Sequence, residues 1–404
     1  MPKNVAKAVR AAYEERPYPV VTRDALRRPR WLLPPVEWIQ TVACPAQIPP
    51  RRILVAGCGT GLEAFAFRRR FPKAEIIAVD FAARSIRLAQ SLQRRVARWR
   101  DVRFIRADLT NDLLARVTGS NFDFISCHGV MSYLPEPESA LRNLARCLSS
   151  DGLLYLGVNG PMHFSETWRK FLPAFCFNME RWPGGERLAR HLKFTASLAG
   201  DGAGRLLRRG PAYLASDLFG ALIHNRSLIQ WVRMCRAAGL HFRADHGTRR
   251  LLWPAINDGS IEMFLPRSRG EVAELLDVLR PGSFYWLIFS RQQEVLPPWC
   301  KPVELLKWRP LRTKEFDGFK WPARPGARVF KLESRASNIS IELRGARWEV
   351  DVLRESNGER SLREILGPLK PTVAPATVRA QLYLFYLLDL LNLTPPDGAL
   401  REGG

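Results

Sequence analysis

Along this chain, short unbroken apolar runs alternate with blocks whose apolar residues recur at a period of 3.6. The alternation starts at Arg51. Residues 1–50 before it are proline-rich, broken at Pro34-Pro35 and Pro49-Pro50, and read as irregular. Ile53-Leu54-Val55-Ala56 is a short apolar run closed by glycines, the pattern of a buried parallel strand. A helix is predicted over 62–71 and a second strand over 75–80. Residues 82–99 place Ile86, Ala89, Leu92 and Val96 on one face of an amphipathic helix. Strands are predicted over 102–108, 122–127 and 152–158, with a helix over 136–149 before the last of them. This succession predicts a doubly wound parallel sheet.

The pattern lapses over 160–225, a stretch rich in Trp, Phe and Arg that reads as a helical insertion. It returns with a helix over 227–238, closed by Gly239, and with strands over 240–245 and 284–290. After Pro297-Pro298 the composition shifts and becomes far less basic. Two strand-like runs, 327–333 and 339–344, precede helical segments near 346–355, 361–367 and 375–392. The expected fold is α/β: a doubly wound, Rossmann-like seven-stranded sheet with a helical insertion and a small C-terminal α+β domain. The expected division is an N-terminal lid segment over 1–50, a sheet domain over 51–291 with its insertion at about 160–225, and a C-terminal domain over 300–404.

Charge changes this picture little. The 404 residues carry 62 Lys and Arg against 39 Asp and Glu, a net charge of +23. Eleven of the cations are lysines and 51 arginines, and they are dispersed. Runs such as Arg68-Arg69-Arg70 and Arg94-Arg95 fall at predicted helix ends, which favours a solvated surface while leaving a nucleic-acid partner open. No apolar run approaches the roughly 18 residues of a membrane span. Leu382 to Leu393 comes nearest and contains Asp389. The first seven residues lead into no apolar stretch, so no secretory signal is expected. Seven scattered cysteines form no C-x-x-C pair, which suits reduced thiols in a cytoplasm and no structural metal.

The chemistry concentrates in Gly57-Cys58-Gly59-Thr60-Gly61, between the first strand and the first helix of the alternating region. Glycines there let a ligand approach the backbone closely. A dinucleotide fingerprint needs glycine at position 62, which is Leu62, and no G-K-[ST] follows. The early third glycine suits a nucleoside without phosphates. Asp80 ends the second strand, about 20 positions beyond the loop, where a carboxylate can accept both ribose hydroxyls. Asp108 ends the third strand and can accept from an adenine amino group, with Leu109 offering its backbone N–H; a helix N-cap is the other reading of Asp108.

These residues, with Phe122-Asp123-Phe124-Ile125, Tyr133-Leu134-Pro135-Glu136-Pro137 and Asp151-Gly152-Leu153-Leu154, resemble the ordered motifs of class I S-adenosylmethionine-dependent methyltransferases. The resemblance covers residues 51–160 well and continues weakly to about 291. It implies that S-adenosylmethionine is held by Gly57, Cys58, Gly59, Thr60, Gly61, Asp80, Phe81, Asp108 and Leu109. Most of that family carries an acid two residues before the first loop glycine; here the position is Val55, so that contact with the methionine end has to come from elsewhere. The run Tyr13-Glu14-Glu15-Arg16-Pro17-Tyr18-Pro19 is similar to an N-terminal Y-x-x-x-P-Y-P stretch of a bacterial subgroup, some of whose members carry regulatory regions.

The methyl acceptor, an oxygen, nitrogen or carbon nucleophile on a small molecule or protein, is not named by these motifs. His128 and Tyr133, just past the fourth strand, and Tyr18, stiffened by Pro17 and Pro19, are the candidate acceptor-side residues. A neutral His128 could remove a proton from the acceptor or only orient it. No histidine has a metal-binding spacing such as H-E-x-x-H. The rival reading is a non-catalytic cofactor- or partner-binding protein that keeps the fold.

Overall fold

The computed structural model describes residues 3–20, 49–95, 101–171, 217, 220–252, 259–279, 281–312, 330–334, 339–343, 347–369 and 374–396. They divide into two units. One takes in the N-terminal segment and the described parts of 49–241 and 281–292. The other takes in those of 242–280 and 293–404.

The first unit opens with α1 (Lys3–Glu15), where the proline-rich composition of 1–50 predicted irregular chain. Val5, Val9 and Ala12 recur at helical spacing, and Val9 is buried; the prolines that broke the pattern all lie downstream. The alternating region then gives β1 (Arg52–Ala56), α2 (Leu62–Arg70), β2 (Glu75–Asp80), α3 (Ala83–Arg95), β3 (Val102–Arg106), α4 (Leu114–Thr118), β4 (Phe122–His128), α5 (Pro137–Cys147) and β5 (Leu148–Asn159). After these come α6 (Phe164–Phe171), α7 (Leu228–Ala237), β6 (His241–Asp245), which starts on the last residue of this unit's 49–241 stretch and continues into the second unit, and β7 (Phe284–Ser290). Ser227 and Gln230 close a capping box that starts α7, satisfying backbone donors that the first turn leaves open. Most of the 160–225 insertion lies outside the described residues.

The seven strands follow the order β3-β2-β1-β4-β5-β7-β6. β1 to β5 run parallel. β1 and β2 are buried on both faces over most of their length and are unbroken apolar runs, whereas β3, at the sheet edge, alternates buried and exposed residues. The strand over 284–290 joins the sheet as expected, and β7 runs antiparallel to β5, so the sheet is mixed. The Gly160 N–H donates to the Ser283 carbonyl at 3.0 Å, so the chain enters β7 at the end where β5 leaves and has to run back. Apolar patterning carries no information on that direction. Arg69, Arg70, Arg94 and Arg95 are exposed as expected. Arg68 is not: it is buried and donates to the carbonyls of Pro72 (2.8 Å) and Asp101 (3.0 Å).

The second unit contains α8 (His246–Leu252), α9 (Arg269–Leu279), α10 (Pro302–Leu305), β8 (Arg309–Arg312), the hairpin β9 (Phe330–Ser334) and β10 (Ile339–Leu343), α11 (Arg347–Glu355), α12 (Leu362–Leu369), α13 (Pro375–Leu387) and β11 (Leu391–Thr394). The single helix predicted over 375–392 ends at Leu387. Asp389 takes a φ of 56°, the chain turns, and β11 pairs antiparallel with β8. Residues 382–388 are buried without a polar side, so no change of period marks the helix end. Their core partners include Trp299, Trp308, Trp348 and Leu353.

Arg269 is the ionic centre of this unit. Its guanidinium donates to the Tyr386 carbonyl (2.9 Å), Glu294 Oε1 (2.5 Å) and Asn392 Oδ1 (2.8 Å), pairs with Asp389 at 3.2 Å, and lies 3.7 Å over the Tyr386 ring. Removing one side of a buried ion pair strands the other charge, at about 3–5 kcal/mol. Arg269→Met is therefore expected to destabilise the protein by about that amount, read as a lowered denaturation midpoint. A change under about 1 kcal/mol would show the network to be dispensable.

Among the described residues, no helix is long and apolar enough to cross a membrane. Cys58, Cys127, Cys147 and Cys235 are free and buried, and Cys300 is free and exposed.

Candidate active site

β1 and β2 are neighbours running the same way, so the loop after β1 and the end of β2 come together at the carboxyl edge of the sheet. The N–H groups of Gly57 and Cys58 both donate to the Val79 carbonyl at 2.8 Å, which ties the loop down. Gly57, Gly59 and Gly61 have φ of 74°, 51° and 87°, values that L side chains rarely adopt. Two of them also fit tight packing. A Cβ on Gly57 would stand 2.3 Å from Val130, and one on Gly61 2.9 Å from the Phe104 ring.

Asp80 is 8% exposed and reaches back under the loop. Its Oδ2 accepts the Gly59 N–H and its Oδ1 the Ala82 N–H, each at 2.8 Å. Burial pushes its carboxyl up to about 6, against the pull of the Ala82 and Gly59 N–H groups. Each carboxylate oxygen has a second lone pair, so Asp80 can hold the loop and still accept two hydroxyls. Thr110 donates to Asp108 Oδ1 through its N–H (2.9 Å) and its hydroxyl (2.8 Å). The Asn143 side chain donates to the Leu109 carbonyl at 2.9 Å and fixes that peptide. Cys58 is buried; desolvation first, then the charges of Asp80 and Glu63, push its thiol well up, so it is a packing residue.

The N-terminal segment lies across these groups. Arg10 pairs with Asp108. Tyr13 packs edge-on against Phe81, with ring centres 5.8 Å apart. Glu14 accepts the N–H groups of Ala83 (2.6 Å) and Arg84 (3.0 Å), capping α3, and those bonds hold its carboxyl below the usual range. The Tyr18 carbonyl accepts the Thr60 N–H at 3.3 Å, and the Pro19 carbonyl accepts the Thr60 hydroxyl at 2.6 Å. A Cβ on Gly59 would stand 2.0 Å from the Tyr18 oxygen, so that glycine is what lets the segment approach.

The acceptor-side candidates follow β4. His128 ends it, half-buried, with Nδ1 2.7 Å from the Tyr155 hydroxyl. Burial lowers its pKa to about 4. Tyr133 is buried, donates to Asp217 at 2.9 Å and accepts from the Asn159 side chain at 3.3 Å. Tyr18 meets the glycine loop through its main chain. Arg10, Glu14, Glu63 and Tyr155 were not singled out in the sequence. For Glu14 the signal lay inside the Tyr13–Pro19 run; for the others it lies in tertiary contacts alone.

Glu63 bears on the Val55 departure. It stands in the first turn of α2, and its Oε1 accepts the Ser126 hydroxyl at 2.5 Å. Ser126 is paired in register with Val55. A carboxylate therefore reaches the strand beside the position that lacks one.

Residues 54–154 match the family described as "Methyltransferase domain". A malonyl-[acyl-carrier protein] O-methyltransferase of Halalkalibacterium halodurans is 30% identical over 122 residues, 30% of this chain and 44% of that protein. A ubiquinone biosynthesis O-methyltransferase of Xanthomonas campestris is 32% identical over 137 residues, 33% of this chain and 54% of that protein. The matched stretch thus spans about half the length of such curated relatives. Among solved structures, PKMT2 from Rickettsia typhi in complex with AdoHcy superposes with a TM-score of 0.53 at 16% identity, covering 94% of this chain and 77% of that one. That likeness shows a Rossmann-like fold.

Burial pushes the Glu63 carboxyl up to about 7, against the Ser126 hydrogen bond. A carboxyl with a raised folded pKa favours the fold while protonated, and this contribution is lost as pH rises from about 4.5 through about 7. Glu63→Gln is expected to gain stability relative to the unsubstituted protein by about 1–3 kcal/mol between pH 5 and pH 8. Denaturant unfolding at the two pH values checks this, and a difference that does not grow with pH would contradict it.

Proposed function

We propose that this protein is an S-adenosylmethionine-dependent methyltransferase with its cofactor at the Gly57–Gly61 loop. The observation that carries the reading is the loop itself: three glycines at positive φ, at the carboxyl edge of a parallel sheet, hydrogen-bonded to a carboxylate that keeps lone pairs to spare. That arrangement suits a ribose and leaves no phosphate cradle. The cofactor's sulfonium supplies an electrophilic methyl group, so the protein's contribution is alignment and exclusion of water.

Gly57, Cys58, Gly59, Thr60 and Gly61 would follow the cofactor with their backbone. Asp80 would accept the ribose hydroxyls beside Phe81, and Asp108 with Leu109 would receive the adenine. The segment from α1 to Pro19 would serve as the lid of the 1–50 region, since Arg10, Tyr13 and Tyr18 each touch a group in this set. The sheet domain would run over 51–291, with 300–404 a separate, possible regulatory module. Tyr18, His128 and Tyr133 would face the acceptor, and a cytoplasmic bacterial setting is in keeping with free thiols and the Y-x-x-x-P-Y-P run. The O-methyltransferase names of two relatives support an oxygen as the methylated atom. The net charge of +23 suits an acceptor with negative charge, and nucleic acid stays among the candidates.

Asp80→Ala is expected to weaken binding of the demethylated cofactor by about 1–3 kcal/mol, through loss of a charge-assisted acceptor. Calorimetry reads this directly. Unchanged affinity would remove Asp80 from the site, and no binding by the unsubstituted protein would favour the non-catalytic alternative. Once an acceptor is found, Tyr18→Phe and His128→Ala should each lower turnover by about tenfold with cofactor affinity kept, the mark of an interaction made in the transition state. Turnover unchanged in both would place the acceptor elsewhere.

A further inference from the structure

His128 sits in a mould made by three residues of neighbouring strands. Its pairing partner on β5 is Gly157, and a Cβ there would stand 2.5 Å from Nδ1, so only glycine leaves room for the ring. Tyr155, two residues earlier on the same face of β5, lies parallel to the imidazole, with ring centres 5.8 Å apart and planes at 13°. Phe284 closes the other approach at 5.3 Å. The ring therefore has one orientation, with Nδ1 on the Tyr155 hydroxyl at 2.7 Å.

That hydroxyl decides where the imidazole proton sits. Tyr155 is completely buried, and among the described residues its oxygen has His128 Nδ1 as its hydrogen-bond partner. Burial raises the Tyr155 pKa well above the ordinary phenol value, so the group stays an O–H donor at neutral pH, while burial keeps the imidazole neutral. If Nδ1 carried the proton it would donate to the phenol oxygen, and the phenol proton would be left buried without an acceptor. An unsatisfied buried donor disfavours that arrangement by roughly tenfold or more. With the phenol donating to Nδ1, both groups are satisfied and the ring proton goes to Nε2.

We infer that Tyr155 fixes His128 as the Nε2–H tautomer, so that the acceptor side of the site offers a hydrogen-bond donor where a general base would otherwise stand. Tyr155 is then a positioning residue, acting through His128. The inference rests on the methyltransferase reading for its meaning: the acceptor has to present a lone pair to Nε2–H and reach the methyl group without losing a proton to His128. A carboxylate meets both conditions, because it is already anionic at neutral pH and one oxygen can accept from Nε2–H while the other attacks. In that transfer a carboxylate oxygen–carbon bond forms, the sulfur–methyl bond breaks, and its electron pair stays on sulfur, so no proton moves.

The tautomer can be read without any acceptor. Protein labelled with 15N-histidine, examined by long-range 1H–15N correlation, should show His128 with an unprotonated Nδ1 and a protonated Nε2 from pH 5 to 8. His128→Asn identifies the signals by their loss. In Tyr155→Phe, Nδ1 loses its donor, and the shifts should move toward a mixture of the two tautomers or toward titration near pH 6 to 7. A protonated Nδ1 in the unsubstituted protein would overturn the inference, as would a spectrum unchanged in Tyr155→Phe. Should that variant fail to fold, the unsubstituted spectrum decides alone. Calorimetry of the unsubstituted protein with the demethylated cofactor tests the methyltransferase reading separately: a fixed tautomer without cofactor binding would sink that reading and leave the tautomer standing.

Discussion

The Asp80 carboxylate is held by two backbone N–H groups, one from the glycine loop and one from the start of α3. This bracket joins the first two strand-to-helix turns of the sheet, and much of the site is arranged around it. Gly59 presents its N–H to Asp80 only because its backbone takes a positive φ. The same residue, lacking a Cβ, admits the Tyr18 carbonyl from the other side. A single position thus meets a conformational demand and a steric one together. Burial makes the bracket costly to ionise, and the two N–H donors offset part of that cost.

A second desolvated carboxylate, the half-buried Glu63, follows the same logic with less support. It has the Ser126 hydroxyl and the favourable start of a helix where Asp80 has two backbone N–H groups. Burial brings its carboxyl to about 7, in a group next to the glycine loop.

The sheet and the glycine loop were legible because both rest on local rules. Unbroken apolar runs between helical blocks mean parallel strands, and a glycine-rich turn after the first of them means close backbone approach. The direction of β7 was not legible, because a strand buried on both faces reads the same in either sense. The end of α13 was hidden for a related reason: a helix buried all round offers no polar face whose loss would mark the stop. α1 was masked by proline counts taken over too wide a window. Within the site, Asp80 and the glycines could be named from spacing. Tyr155 and Glu63 could not, since their significance comes from one partner each, His128 and Ser126, brought close only by the tertiary fold.

The Arg269 network has a further consequence in the order of synthesis. Its partners Tyr386, Asp389 and Asn392 lie more than a hundred positions downstream, so the contact is among the longest-range in the chain. The strands β1 to β4 have all their pairing partners by residue 159, and only β5 waits for a later one, β7. The start of α9, by contrast, holds a cation of whose partners only Glu294 lies close in sequence. Until residues 386–392 are made, its guanidinium has to stay hydrated and cannot be buried. Closing so distant a contact is slow relative to local structure. Burial of Arg269 is thus a step that chain order allows only once nearly the whole second unit has been made.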